Sequence, residues 1–269
     1  MEVKLLKELA QCLEKGQEVA LVTVTEAAGS RPRDVGSMMI VDSGGHLIAG
    51  TIGGGKVEET AKQDAANCLR NKESKTFKYE LTLKESEHSL GMACGGLVEV
   101  FVKTFEKREN LIIFGGGHIG LELSRFAKAL GYRIIVVDQR PEYCSRSRFP
   151  VADELLLLDP ENPPVLGIDA DTSVVIVTHG HLYDMEALRL VIMSDARYIG
   201  MIGSRNKIRH CFAELIKEGI SEERLNKVFA PIGLDVGGET PEEIALAILA
   251  EVQAVKYGRT GSFLKETHQ

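Results

Sequence analysis

The sequence predicts an α/β protein in which a doubly wound parallel sheet in the C-terminal half is preceded by a smaller α+β domain. From about residue 111 onward, apolar strand-like segments alternate with helical stretches, an order typical of a parallel sheet covered on both faces. Before that point, short strands are joined by Gly-containing turns. The charged segment 106–110 separates the two patterns, so we place the domains at 1–108 and 109–269.

The composition is that of a folded globular protein and argues against several classes of function. Of 269 residues, 44% are hydrophobic and 26% charged, and the net charge of −7 gives no overall attraction to nucleic acid or an anionic membrane. No segment approaches the roughly 20 apolar residues of a membrane span, and the segment 1–16 lacks a signal-peptide core. We therefore expect a soluble, cytoplasmic protein with no nucleic-acid or membrane partner.

The individual elements follow from apolar periodicity and from turn and capping residues. The last helix has the clearest start, because Thr240, Pro241 and Glu243 supply an N-cap, a proline at the first helical position and a capping-box partner. In the first domain we predict helices over about 2–15 and after Gly53-Gly54-Gly55, and strands over 18–25, 37–41, 46–49, 75–81 and 97–104. In the second we predict strands over 111–114, 133–137, 154–158, 173–177 and 197–202.

A glycine-rich turn opens the second domain. Gly115, Gly117 and Gly120 follow the apolar strand 111–114 and lead into a helix that begins near His118. Glycines at this spacing let the backbone turn tightly and approach a pyrophosphate, while the helix N-terminus supplies unpaired N–H groups and a positive dipole end. In this strand–turn–helix context the pattern predicts a Rossmann-like dinucleotide-binding domain.

The next strand ends in an acidic residue placed to contact a ribose. Asp138 is able to accept hydrogen bonds from the ribose diol of NAD, and it favours NAD over NADP because a 2′-phosphate would meet its negative charge. Arg140 weakens that preference, since it is able to pair with the phosphate. The predicted cofactor is therefore NAD(P). The alternative is a doubly wound domain that keeps the turn and binds nothing.

The glycine cluster of the first domain resembles a phosphate-binding loop. Gly53-Gly54-Gly55-Lys56 nearly matches a P-loop, but Val57 stands where the Ser or Thr that binds magnesium is required. We therefore interpret Gly53, Gly54 and Gly55 as a nest whose backbone amides hold an anion without hydrolysing it.

Two further groups of polar residues follow strands of the predicted parallel sheet. His179, His181 and Asp184 come after the strand 173–177, and doubly wound folds bind ligands at the carboxyl ends of their strands. Such side chains serve either as metal ligands or as proton carriers. Because two histidines and one acid are few ligands for a metal, we assign the three as candidate proton carriers and predict no metal site. Gly203, Ser204 and Arg205 follow the next strand and offer an anion contact at a helix start.

The five cysteines include no CxxC pair, which argues against a disulfide framework and a zinc site. Cys12, Cys68 and Cys211 lie on apolar helical stripes and are predicted core residues. Cys94 lies among glycines, where a ligand is able to approach the thiol closely, although a small residue in a tight turn explains the pattern equally well. The arginines around Cys144 indicate an exposed loop.

Together these motifs resemble the XdhC/CoxI family of accessory proteins for molybdenum hydroxylases such as xanthine dehydrogenase. The resemblance covers nearly the whole chain, and the matching motifs occur in the same order. They are 29–36, 50–55 with Glu58, 94–96, the turn from Gly115 to Gly120, 178–184, 198–205 and 231–243.

The resemblance implies an assembly factor rather than a metabolic enzyme. Members of the family are understood to bind molybdenum cofactor, to present it to a cysteine desulfurase for sulfuration, and to help insert it into the apo-hydroxylase. This cofactor carries a phosphate and a soft, sulfur-ligated metal, so Arg31, Arg33, the glycine nest and the thiol of Cys94 are expected to contact it.

Two other functions stay open. One is an NAD(P)-dependent oxidoreductase with His179 or His181 as proton carrier beside the nicotinamide. The other is a nucleotide-binding scaffold that performs no chemistry. In each case we expect a homo-oligomer, because neither domain looks large.

Overall fold

The chain forms two compact units, Met1–Lys107 and Arg108–Gln269. The computed structural model describes residues 2–28, 34–81, 96–159 and 161–266. The two units are described one at a time. Within the described ranges, no helix is both long enough and apolar enough to span a bilayer.

The first unit is a five-stranded antiparallel sheet with one helix on each face. The order of its strands is β3-β2-β1-β5-β4. The elements are α1 (Glu2–Glu14), β1 (Val19–Ala28), β2 (Met38–Asp42), β3 (Leu47–Gly50), α2 (Gly55–Arg70), β4 (Lys75–Leu81) and β5 (Gly96–Phe105).

The two faces of this sheet carry two separate small hydrophobic cores, because side chains along each strand point alternately to one face and the other. Val19 and Ile40 point to the face covered by α1, where they pack with Leu5, Leu9 and Cys12. The next residue along each of these strands points to the opposite face, because successive strand side chains alternate. That face packs against Val57, Ala61, Ala65 and Cys68 of α2.

The second unit is a five-stranded parallel sheet with strand order β10-β9-β6-β7-β8, so that β6 lies at its centre. This confirms the predicted doubly wound arrangement. The strands are β6 (Asn110–Phe114), β7 (Arg133–Asp138), β8 (Glu154–Leu157), β9 (Thr172–Ile176) and β10 (Tyr198–Met201). The helices are α3 (His118–Ala129), α4 (His181–Val191), α5 (Arg205–Lys217), α6 (Glu222–Leu225) and α7 (Pro241–Lys256).

Helices cover both faces of the parallel sheet. Leu111 and Ile113 of β6 pack with α3 and α7, whereas Ile112 and Phe114 pack with α4 and α5. Both sets of side chains are fully buried, which explains why these strands read as continuous apolar runs rather than as alternating ones. The capping box predicted at Thr240 and Glu243 is present at the start of α7.

Candidate functional site

The loops predicted to carry function in the second unit meet at one edge of the parallel sheet. They follow the carboxyl ends of β6, β9 and β10, and the helices α3, α4 and α5 begin from them. Because the chain leaves β6 toward β7 on one side while β9 lies on the other, the crevice between β6 and β9 is a topological switch point. Ligands of open α/β sheets bind at such a point.

The glycine turn after β6 is packed tightly on one side and open on the other. A Cβ at Gly116 would overlap the carbonyl oxygen of Tyr143, and a Cβ at Gly120 would overlap that of Gly115. By contrast, no heavy atom lies within 4 Å of the Cβ position at Gly117, which precedes α3 and provides no side-chain cap. The turn therefore leaves open space at Gly117, beside the first amides of α3.

The carboxylate of Asp138 is engaged on both oxygens by the protein itself. Oδ2 accepts a hydrogen bond from the backbone amide of Gly116 at 2.7 Å and one from Nη2 of Arg140 at 2.9 Å. Oδ1 accepts from the backbone amide of Arg140 at 2.9 Å and from its Nε at 3.0 Å. Asp138 therefore ties the glycine turn to the loop after β7, and Arg140 covers the predicted ribose acceptor.

Two arginines share one aromatic ring beside this acid. The guanidinium carbon of Arg140 lies 3.7 Å from the ring centroid of Tyr143, and that of Arg148 lies 5.0 Å from it. Nε of Arg148 also donates to the carbonyl oxygen of Gly116 at 2.7 Å. We did not predict roles for Tyr143 and Arg148 from the sequence, and the density of Arg around Cys144 was the only signal for this cluster.

The electrostatics of the site keep Asp138 ionised. Burial of this carboxylate opposes ionisation, but the hydrogen bonds from Arg140 and from the amide of Gly116 outweigh it and hold the pKa of Asp138 below its usual value. The same ion pair raises the pKa of Arg140. The site therefore presents a fixed carboxylate covered by a permanently charged guanidinium.

Of the candidate residues after β9, one is buried and holds the loop, and another is exposed to solvent. The hydroxyl of Thr178 donates to Oδ1 of Asp184 at 2.6 Å, and Asp184 is buried, which favours a structural role in holding this loop. His179 is exposed. The side chain of His181 lies outside what the structure describes. A cavity of about 10 Å³ is lined by Gly115, Asp138, Arg140, Thr178, His179 and Tyr183, among others.

At the third loop, Ser204 is the N-cap of α5, and its hydroxyl accepts a hydrogen bond from the backbone amide of Lys207 at 3.4 Å. Gly203 precedes this cap, and Arg205 is the first residue of the helix and is exposed. The predicted anion contact at Gly203, Ser204 and Arg205 is thus a capped helix start with an adjacent cation. Among the residues described, no cluster of three or more His, Cys, Asp or Glu side chains is arranged to hold a metal ion.

In the first unit, the glycine nest holds an anion that belongs to the protein. Gly53, Gly54 and Gly55 all adopt positive φ, and Oε2 of Glu58 accepts hydrogen bonds from the backbone amides of Ile52 and Gly54 at 3.0 Å each. The hydroxyl of Thr51 donates to the same oxygen at 2.5 Å. An external anion would therefore have to displace Glu58, and the sequence pattern alone did not reveal this internal occupant.

Replacing Glu58 by alanine is expected to lower the free energy of unfolding by about 2–3 kcal/mol, because two backbone amides and a hydroxyl lose a charged acceptor. Burial works against ionisation of Glu58, but the hydrogen bonds win and lower its pKa below the ordinary 4.5. Its contribution is therefore present above pH 4.5 and is lost as the pH falls through the lower folded value.

Urea unfolding at neutral and acidic pH measures this effect. The matched control is Glu59→Ala, since that side chain is 62% exposed and, within the described residues, forms an ion pair with Lys62 one turn away. The control should cost less than about 0.5 kcal/mol. Equal losses for the two variants would contradict the role assigned to Glu58.

Four cysteines are described, and none has a reactive environment. Cys12, Cys68 and Cys211 are buried, as predicted, and burial raises the pKa of each thiol, that of Cys211 to about 11. Cys144 is half-buried rather than in an exposed loop as we expected, because its thiol points inward to the carbonyl oxygen of Leu156, at 3.2 Å. Burial raises the pKa of this thiol too.

Three of the predicted ligand-binding residues, Cys94, Arg31 and Arg33, lie outside the described residues. Their assignment therefore stays a prediction.

The strand order, the glycine turn and the helices on both faces define the second unit as a Rossmann-type fold. The family model for the XdhC Rossmann domain matches residues 111–252, and that for the XdhC and CoxI family matches residues 12–80. The chain belongs to the XdhC and CoxI family.

Three curated relatives are similar to this chain. It is 30% identical over 269 residues to the uncharacterized protein YqeB of Escherichia coli K12, an alignment that covers 99% of this chain and 49% of YqeB. It is 30% identical over 154 residues to a protein of Bacillus subtilis 168 named as a probable xanthine dehydrogenase subunit, covering 57% of this chain and 44% of that protein. The chain thus spans less than half the length of each of these two relatives.

The third relative matches over most of both lengths. The molybdenum cofactor insertion chaperone PaoD of Escherichia coli K12 is 22% identical, over 94% of this chain and 88% of PaoD. Among solved structures, a xanthine dehydrogenase from Bacillus halodurans superimposes with a TM-score of 0.50 at 22% identity, over 93% of this chain and 96% of that one. At this identity the likeness concerns the fold alone.

Proposed function

We propose that this chain is an accessory protein that matures a molybdenum hydroxylase of the xanthine dehydrogenase type. In this role it binds molybdenum cofactor, holds it while a cysteine desulfurase supplies the sulfido ligand, and assists its insertion into the apo-hydroxylase. The observation that carries the proposal is the match of both units to one family, together with the relative named as a molybdenum cofactor insertion chaperone.

The environment of the thiols supports Cys94 as the cysteine that contacts the cofactor. Soft thiolate ligands suit a sulfur-ligated metal, but a thiolate forms readily only where the pKa of the thiol is not raised. The other four thiols are buried or half-buried, and their pKa values are all raised. Cys94 is the remaining cysteine of the five. Arg31 and Arg33 complete the proposed site as partners of the pterin phosphate.

We further propose that the second unit binds a dinucleotide at the carboxyl edge of its sheet. The open space at Gly117, beside the start of α3, supports this by offering a place for the diphosphate. The cavity near Asp138 is too small for a nucleoside while Arg140 lies in it, since about 10 Å³ holds roughly one water. The adenosine therefore has to bind outside this cavity.

Retention of molybdenum cofactor tests the proposed binding role. The chain, purified after expression in cells that make the cofactor, should retain it, as measured by fluorescence of the oxidised pterin and by metal analysis. Cys94→Ala should reduce retention by about tenfold or more, because it removes a soft metal ligand. Cys144→Ala is the matched control and should retain the cofactor fully. Equal retention by the two variants would exclude the thiol role of Cys94 and favour a scaffold.

The oxidoreductase alternative has less support in the structure. His179 lines the same small cavity as Asp138 and Arg140, so it lies beside the ribose acceptor at the end of β7. A proton carrier for hydride transfer has to contact the nicotinamide, which a Rossmann-type fold holds on the other side of the diphosphate. Oxidation of a small substrate coupled to NADP⁺ or NAD⁺ reduction by the purified chain would restore this alternative.

A further inference from the structure

Asp138, the acid expected to select an unphosphorylated ribose, has no free lone pair left to accept a hydrogen bond from it. A carboxylate offers about four lone-pair sites. At Asp138 these are taken by the amide of Gly116 and by the amide, Nε and Nη2 of Arg140. A ribose diol can bind there only after the guanidinium of Arg140 leaves. In the sequence, Asp138 predicts a preference for NAD. In the structure, the pairing of Asp138 with Arg140 opposes this preference.

We infer that the dinucleotide bound at this edge carries a 2′-phosphate on its adenosine ribose, as NADP does, and that Arg140 is the residue that selects it. This inference rests on the dinucleotide site proposed above. It adds the chemical class of the ligand and names the residue that determines specificity.

The outer edge of the Arg140 guanidinium is free to take a phosphate. Nε and Nη2 face Asp138, whereas Nη1 has no hydrogen-bond partner among the described residues, and the side chain is 25% exposed. The guanidinium carbon lies 3.7 Å from the ring centroid of Tyr143, and this contact restricts the orientation of the side chain. The edge that remains, formed by Nη1 and the second N–H of Nη2, suits bidentate binding of a phosphate.

A second cation adds to the positive charge at the same place. Arg148 lies near the same ring of Tyr143 and donates to the carbonyl oxygen of Gly116. Its Nη2 is buried without a hydrogen-bond partner in the described part of the chain. Against these two guanidiniums stand Asp138, which pairs with Arg140, and Glu142, which acts on Arg140 electrostatically. A phosphate ester is able to pair with Nη1 of Arg140 without breaking the pair with Asp138, whereas a neutral diol would have to displace Arg140 from Asp138.

Calorimetric titration of the full chain with NADP⁺ and NAD⁺ tests this inference. NADP⁺ should bind at least about tenfold more tightly than NAD⁺, and 2′,5′-ADP should compete where 5′-AMP does not. Replacing Arg140 by alanine should have opposite effects on the two ligands. Binding of NADP⁺ should weaken about tenfold or more, and binding of NAD⁺ should strengthen, because two acceptor positions of Asp138 become free.

The control variant is Arg125→Ala, which removes the same charge from a side chain that is 59% exposed and paired with Glu122 on α3. It should bind both dinucleotides as the wild type does. Three results would overturn the inference: NAD⁺ binding as tightly as NADP⁺, neither binding, or Arg140→Ala weakening both equally. Tighter binding of 3′,5′-ADP than of 2′,5′-ADP would also overturn it, since that places the phosphate on the 3′-oxygen.

Cofactor retention, measured separately on the wild type, distinguishes this inference from the proposed function. A chain that retains molybdenum cofactor but does not prefer NADP⁺ keeps the proposed function and loses the inference. If the chain prefers NADP⁺ but retains no molybdenum cofactor, the inference stands and the proposed function is lost.

Discussion

Gly120→Ala is expected to destabilise the second unit by about 4 kcal/mol or more, which is a large part of the stability of an ordinary domain. Alanine is the better helix former, so the same substitution in an exposed helix would stabilise the protein by about 1 kcal/mol. Gly120 lies in the first turn of α3, however, and a Cβ there would overlap the carbonyl oxygen of Gly115. Because that oxygen belongs to the backbone of the glycine turn, relief requires α3 to move away from β6.

The matched control is Gly117→Ala, three residues earlier in the same turn. No heavy atom lies within 4 Å of its Cβ position and its φ is −68°, which suits alanine. The expected loss is about 1 kcal/mol or less, from the poorer N-cap. The two variants are compared by their unfolding midpoints in urea, followed by circular dichroism. A Gly120→Ala protein as stable as Gly117→Ala would show that α3 does not pack against the turn as described.

Asp138→Ala is expected to cost about 3–4 kcal/mol, since the substitution leaves the amides of Gly116 and Arg140 without their acceptor near the buried end of β7. Arg140→Ala should cost less than about 1 kcal/mol, because the guanidinium is partly exposed and Asp138 keeps both backbone amides. The two single variants and the double variant form a double-mutant cycle, which isolates the interaction free energy between Asp138 and Arg140.

The pH dependence of this effect has a defined sign. The folded pKa of Asp138 lies below its ordinary 3.8, so its stabilisation is complete above that value and is lost as the pH falls through the folded value. The difference in unfolding free energy between the wild type and Asp138→Ala should therefore shrink only below about pH 4. A difference that already disappears near pH 6 would contradict the hydrogen bonding described.

Periodicity predicted most of the fold. The apolar stripe Leu5, Leu9 and Cys12 lies on the buried face of α1, and the capping box marks the start of α7 correctly. The five strands of the parallel sheet appear where apolar runs predicted them, with ends shifted by one residue at most. The four-residue helix α6 was missed, because one turn is too short to show a helical period.

The positions of candidate residues were easier to predict than their hydrogen-bond partners. Parallel topology alone places the loops after β6, β9 and β10 at one edge, so their grouping followed from the sequence. Glu58 fills the glycine nest and Arg140 covers Asp138. Both contacts depend on the direction in which a side chain a few residues away points. A local pattern identifies such donors and acceptors but does not show which of them satisfy one another.

Transfer of molybdenum cofactor from the purified chain to an apo-hydroxylase is the most direct test of the proposed function. The loaded protein should restore hydroxylase activity in proportion to the cofactor it carries, and faster than the same amount of free cofactor does. If activity recovers no faster with the loaded protein than with free cofactor, or if the chain purifies without any cofactor to transfer, a maturation role for this chain is contradicted.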